Sequence, residues 1–315
     1  MVLYELFGMQ KDLIERGDRM IDNNTKQCVS IFEVGPRDGL QPEPVFIDTQ
    51  KKIELVNKLT DAGCKRIEVT SFVHPKWVPQ MKDSKEVLAG INRKEGVTYN
   101  ALIPNLRGLE LAIESGLKEV VTIMSTSESH NKKNLNMSPE ESLKEIEKIN
   151  KVAAQNGVKV RSYIATVFGC PIEGHMSPQK ALDIALQLES FGSYEISLGD
   201  TTGMANPVSA YEIPKMIKEN LTKASLAVHY HKYNGLEFAN NLASYNAGIR
   251  IFDSAAGGLG GCPYAPGAKG NCQTEILVEM FERMGIDTGI NLEKIYEAGN
   301  FAQTLSTLLH QRCEV

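Results

Sequence analysis

The chain has 315 residues, 42% of them hydrophobic and 23% charged, with a formal net charge of -5, which is enough for one large domain or two small ones and gives no sign of disorder. The acidic balance and the scatter of Lys and Arg leave no basic field for nucleic acid, and no apolar run approaches membrane-spanning length. The six cysteines, Cys28, Cys64, Cys170, Cys262, Cys272 and Cys313, lie far apart without a Cys-x-x-Cys, so they read as thiols in a reducing cytoplasm rather than as a zinc knuckle or a disulfide framework.

Residues 1–25 mix Lys11, Arg16 and Arg19 with Glu5, Asp12, Glu15 and Asp18, unlike a signal or transit peptide. They are expected to form a short amphipathic helical extension outside the main domain. Over 26–315, β-branched runs alternate with helical patterns about eight times. The expected strands are 28–34, 66–71, 98–103, 119–124, 159–166, 194–198, 225–231 and 250–254. The expected helices are 49–62, 84–92, 106–114, 139–155, 178–191, 209–220, 235–246 and 274–284. Ser138-Pro139-Glu140-Glu141 has the form of a capping box, and Ser177-Pro178 and Asn206-Pro207 repeat the cap-then-proline signal. Eight βα units without a composition break predict a single parallel (β/α)8 TIM barrel, and a further helix over about 292–310 is expected beneath or beside it. No glycine fingerprint of a dinucleotide or P-loop site is present.

In such a barrel the reactive groups gather at the carboxyl ends of the strands. The first strand runs into Glu33-Val34-Gly35-Pro36-Arg37-Asp38-Gly39, the second carries Glu68, the sixth leads to Asp200-Thr201, the seventh ends in His229-Tyr230-His231, and the eighth is followed by Asn271. Strand alternation puts His229 and His231 on one face. With Asp38 and Asn271 they make a mixed nitrogen and oxygen donor set without thiolate, suited to magnesium, manganese or another divalent cation. Arg37 beside Asp38 is placed to hold charge developing on an enolate oxygen, or else to pair with Glu33 or Glu68. The run from Gly257 to Asn271 is rich in glycine and carries Cys262. It reads as a pliable loop whose thiol could exchange a proton with a ligand, or sit inert in a turn.

Taken together, Glu33 to Gln41, Ser71 to Met81, Tyr194 to Thr201 and Gly258 to Tyr264 resemble 3-hydroxy-3-methylglutaryl-CoA (HMG-CoA) lyase, within the wider group of metal-dependent βα-barrel lyases and Claisen-type synthases. The resemblance implies cleavage of HMG-CoA to acetyl-CoA and acetoacetate, or of a related branched 3-hydroxyacyl-CoA. A condensing synthase of the same barrel group is the alternative. It further implies a divalent metal on Asp38, His229, His231 and Asn271, substrate contacts from Arg37, Gln41 and Thr201, and a base drawn from Glu68, Asp200 and His229. Cys262 would protonate the enolate carbon, Glu33 and Glu275 would orient Arg37 and Asn271, and the barrel would form a homodimer. The chain departs from the family pattern at Pro42, at His74, over Ser125 to Asn134, and at Lys232-Tyr233-Asn234-Gly235, where Asn234 and Glu237 are expected to cap the next helix.

Overall fold

The computed structural model describes residues 27–260 and 270–306. Eight parallel strands close into a barrel in chain order, the first pairing with both the second and the eighth. They are β1 (Ser30–Glu33), β2 (Arg66–Ser71), β3 (Thr98–Leu102), β4 (Glu119–Ser125), β5 (Lys159–Ala165), β6 (Glu195–Asp200), β7 (Ser225–Tyr230) and β8 (Ile251–Ser254). Between and after them run α1 (Thr49–Ala62), α2 (Ser84–Gly90), α3 (Leu106–Glu114), α4 (Glu128–Leu135), α5 (Pro139–Gln155), α6 (Pro178–Phe191), α7 (Pro207–Asn220), α8 (Leu236–Asn246), α9 (Thr274–Arg283) and α10 (Leu292–Leu305).

The β-branched strands are buried almost throughout because helices cover their outer faces. The capping box at Ser138 forms as read. Asn206 makes a second box with Ser209, so α7 begins two residues before the expected start. Ser177 makes no side-chain cap. The helix α4 was not expected: its sequence ESHNKKNL offers no apolar stripe, only the Ser127 hydroxyl accepting from His130 N at 3.1 Å. The hydroxyls of the Ser125 to Asn134 segment are spent on structure there. Ser125 Oγ meets Thr166 Oγ1 at 2.6 Å across β4 and β5, and Ser125 N donates to Asn131 at 2.8 Å. The extra helix α10 packs beside α1 rather than beneath the barrel. The proposed N-terminal extension over 1–25 and residues 307–310 of the last helix lie outside the described residues.

Candidate active site at the carboxyl ends of the strands

The first strand does not lead straight into a loop. Residues Gly35–Gly39 wind into one π-helical turn, in which the backbone N–H groups of Arg37, Asp38 and Gly39 all converge on Val34 O at 2.8–3.2 Å. Pro36 enters this turn at its start, where no N–H is needed. Only glycine fits at Gly39, since a Cβ there would stand 2.8 Å from Leu259 Cβ. The turn throws Arg37 and Asp38 toward the barrel axis. Arg37 Nη1 donates to Asp38 Oδ1 at 2.6 Å and Nη2 to Glu68 Oε2 at 2.9 Å. Glu68 Oε2 also accepts from Tyr163 Oη at 3.1 Å.

Alternation along β7 sorts its residues. Tyr230 turns outward to hydrogen-bond Ser244 of α8 at 2.8 Å, while His229 and His231 turn inward with their Nε2 atoms 3.2 Å apart. His231 lies one residue past the strand, held in an antiparallel bridge to Asn271. Asn271 Nδ2 donates to Asp38 Oδ2 at 2.8 Å and to Leu259 O at 3.0 Å. Asp38 Oδ2 is in turn 4.0 Å from His229 Nε2. One ligand atom from each of Asp38, His229 and His231 falls within 4.8 Å of the others.

This donor set suits a divalent cation on its own chemistry. Asn271 Oδ1 is buried with no hydrogen-bond partner among the described residues, an orphaned acceptor that costs free energy unless a cation or donor meets it. Burial and the neighbouring His229 push the His231 pKa down to about 4, so at neutral pH its imidazole offers a lone pair. Burial alone would raise Asp38, but Arg37, His229, His231 and the Asn271 amide hold it well below the usual carboxylate range. For Arg37, burial is outweighed by Glu68 and Asp38, so it stays charged. Its Nε and Glu68 Oε1 are buried with no partner among the described residues, and burial raises Glu68 against the pull of Arg37.

Several expected site residues hold the backbone around the site. The Asp200 carboxylate accepts the backbone N–H groups of Met204 at 2.8 Å and Ala205 at 3.2 Å, tying down the segment after β6; burial raises its pKa to about 6. Thr201 Oγ1 accepts from Thr166 N at 3.2 Å, bracing a threonine held at φ 59. Gln41 is half-buried just after the π turn, its N–H on Arg37 O at 2.9 Å. Glu33 makes no hydrogen bond to Arg37 itself. Its Oε1 accepts from Gly35 N at 2.7 Å and Ala256 N at 3.0 Å, and its Oε2 from Thr274 Oγ1 at 2.6 Å. Glu275 likewise does not reach Asn271. It accepts from Gln273 Nε2 at 2.7 Å and from Gly257 N. Both carboxylates are drawn to backbone N–H groups that the turn at Ala256–Gly258 would otherwise bury unpaired.

Cys262 lies outside the described residues, but both ends of its segment border the site. Asn271 N donates to Leu259 O at 3.1 Å and Lys232 N to Gly270 O at 2.8 Å. Gly260, at φ 109, passes so close to Asn271 that a Cβ would stand 2.6 Å from Nδ2. The Lys232 side chain is exposed. Asn234 does not cap α8; Gly235 takes the cap position, and Glu237 accepts from Tyr233 N at 3.0 Å. His74 is an exposed loop residue whose ring accepts from Lys76 N at 3.1 Å.

The Glu33 environment gives a pH signature. Burial, opposed by the Thr274, Ala256 and Gly35 hydrogen bonds, raises its pKa from 4.5 to about 7. A carboxyl raised in the folded state keeps a proton that the unfolded chain has lost, so its stabilisation is full below pH 4.5 and disappears as pH rises through 7. Against Glu33→Gln, wild-type stability should therefore fall by up to roughly 3 kcal/mol between pH 4.5 and 8. Urea unfolding of the two chains at matched pH measures this, and parallel pH profiles would contradict it.

Sequence reasoning missed three buried groups around the site, Tyr163, Arg161 and Asp253. The ring of Tyr163 lies edge-on to His229 with centroids 5.7 Å apart. Asp253 stands beside His229 in the register of β7 and β8. The available signal was a charged or polar side chain within a buried strand, Arg161 and Tyr163 on β5 and Asp253 on β8.

A family model described as HMGL-like matches residues 28–302. The chain is 46% identical over 275 residues to hydroxymethylglutaryl-CoA lyase YngG of Bacillus subtilis, covering 87% of this chain and 92% of that one. It is 48% identical over 273 residues to the mitochondrial hydroxymethylglutaryl-CoA lyase of Homo sapiens, covering 87% and 84%. Among solved structures it resembles an HMG-CoA lyase from Acinetobacter baumannii in complex with coenzyme A and 3-methylmalate, with a TM-score of 0.84, 39% identity, and coverage of 91% of this chain and 95% of that one. A family match over most of the chain, joined to relatives nearly half identical along their length, establishes that this chain belongs to the HMGL-like family.

Proposed function

We propose that this chain cleaves 3-hydroxy-3-methylglutaryl-CoA into acetyl-CoA and acetoacetate. The observation that carries the reading is the cluster of Asp38, His229, His231 and the orphaned Asn271 Oδ1 beside the Arg37–Glu68 pair, in a chain whose near relatives are HMG-CoA lyases.

Asp38, His229, His231 and Asn271 are the ligands of a divalent cation, magnesium or manganese. Bound there, the cation supplies charge that acidifies the substrate's tertiary hydroxyl and fixes its orientation. Glu68 is the group that takes the hydroxyl proton: both oxygens of the other raised carboxyl, Asp200, accept backbone N–H groups, whereas Glu68 Oε1 has no partner among the described residues. As that proton leaves, the bond between C2 and C3 breaks, the carbinol carbon becomes the ketone of acetoacetate, and the electron pair passes into the thioester as an enolate. Arg37 donates its free Nε–H to the enolate oxygen. Cys262 protonates C2 to give acetyl-CoA, and the proton held by Glu68 restores the thiol. Gln41 and Thr201 line the substrate's approach. Asp200 serves by holding the segment after β6.

The coenzyme A in the Acinetobacter relative supports an acyl-CoA partner. No helix among the described residues is long and apolar enough to cross a membrane, and free thiols at Cys28, Cys64, Cys170 and Cys272 support a reducing, cytoplasmic setting. Exposed apolar Val208, Tyr211 and Leu242 on α7 and α8 support a homodimer, and 26–315 is read as one domain after a separate 1–25 extension. Incubation with HMG-CoA should yield acetyl-CoA and acetoacetate in equal amounts, and Cys262→Ala should lower that rate about 10²- to 10⁴-fold. A Cys262→Ala chain as fast as wild type would remove the thiol from the reaction, and absence of both products from wild type would sink the assignment.

A further inference from the structure

Asp253 has no part in the steps above, yet it anchors a buried charge network in the barrel. It lies on β8 directly across from His229 and is 1% exposed. Its Oδ1 accepts from Arg161 Nη2 at 2.6 Å, and its Oδ2 accepts from Ser197 Oγ at 3.0 Å and faces His229 Nδ1 at 3.3 Å. Arg161 is wholly buried, clamped by a second ion pair to Glu195 at 2.5 Å and lying over the Phe32 ring at 3.9 Å. Such a guanidinium cannot swing away, so the Asp253 carboxylate beside it is fixed in both place and charge.

We propose that Asp253, pinned by Arg161, is a positioning residue that locks His229 as its Nδ1–H tautomer and thereby aims the bare Nε2 lone pair at the cation position. A carboxylate paired with arginine has no proton to give, so His229 Nδ1 must be the donor of that contact. An imidazole that ligates a cation carries one N–H, so with Nδ1 as the donor Nε2 is left as the lone-pair atom facing His231 and Asp38. His231 has no such anchor. Its Nδ1 is buried without a partner among the described residues. The two histidines are therefore unequal: His229 is preset and His231 adapts. The inference rests on the ligand assignment made above.

The substitution Asp253→Asn tests the lock. Asparagine would keep its carbonyl oxygen on Arg161 and turn its amide N–H toward Nδ1, which forces the imidazole proton onto Nε2. In metal-free protein, nitrogen-15 NMR of the labelled histidines, with His229→Ala as the assignment control, should show His229 as Nδ1–H in wild type and Nε2–H in the variant. Manganese titration followed by the paramagnetic signal of the free ion should show about 10- to 100-fold weaker binding in Asp253→Asn, with a cooperative thermal transition retained. Wild-type manganese affinity in the variant, or an Nε2–H His229 in wild type, would overturn the proposal. The wild-type spectrum decides the matter even if the variant does not fold. Failure of wild type to bind manganese would overturn the ligand assignment instead, and the tautomer, which needs no metal to be read, would still test the lock separately.

Discussion

Arg37→Gln should lower turnover of HMG-CoA by roughly 10²- to 10³-fold, the scale of losing one oriented donor to a developing oxyanion. Two of its nitrogens are already engaged, Nη1 with Asp38 and Nη2 with Glu68, and these fix the plane of the guanidinium, while Nε is buried with no partner among the described residues. Such a donor costs no reorganisation when charge arrives. Lysine keeps the charge but cannot span both carboxylates while offering a third N–H in one plane, so Arg37→Lys should recover little of the loss. The cation should still bind in both variants, because freeing Asp38 Oδ1 from its guanidinium leaves a carboxylate richer in available charge. Measuring kcat at saturating manganese separates these effects. A variant within about tenfold of wild type in kcat would show that the enolate oxygen is held by another group.

His231→Ala should weaken divalent-cation binding by more than the roughly 10- to 100-fold expected when only a group supporting a ligand is lost. Among the described residues the ring makes its hydrogen bond and its aromatic contact with His229, and its Nδ1 meets no partner, so alanine removes little that holds the fold. The backbone bridge to Asn271 survives the change. Stability should thus stay close to wild type while manganese titration moves to much higher concentration, and activity should return only in part when manganese is raised. Unaltered manganese affinity would remove His231 from the ligand set.

The barrel was legible in the sequence because each layer carries its own period. Buried parallel strands show as short β-branched runs such as Arg66–Ser71, and α1, α3, α5 and α6 keep their expected bounds because caps or apolar stripes mark them. The helix α4 carries neither stripe nor proline and escaped. At the site, the spacing of His229 and His231 was informative because alternation is local. The duties of Glu33 and Asp253 were not, since the first binds Ala256, 223 residues away, and the second meets Arg161 across 92 residues. Contacts of that span are set by barrel closure and register, which no local pattern encodes. The π turn at Gly35–Gly39 was hidden for a related reason. No local pattern announces the turn, and only the approach of Leu259 shows why the chain must stay bare at Gly39.

The most direct test of metal-assisted cleavage at this cluster is acetoacetate formation from HMG-CoA by protein stripped of metal, before and after adding back magnesium or manganese, with Asp38→Asn alongside. The geometry predicts negligible product from the stripped protein, recovery on adding either cation, and no comparable recovery in Asp38→Asn. Full activity in the stripped wild-type protein, or equal recovery in Asp38→Asn, would contradict it.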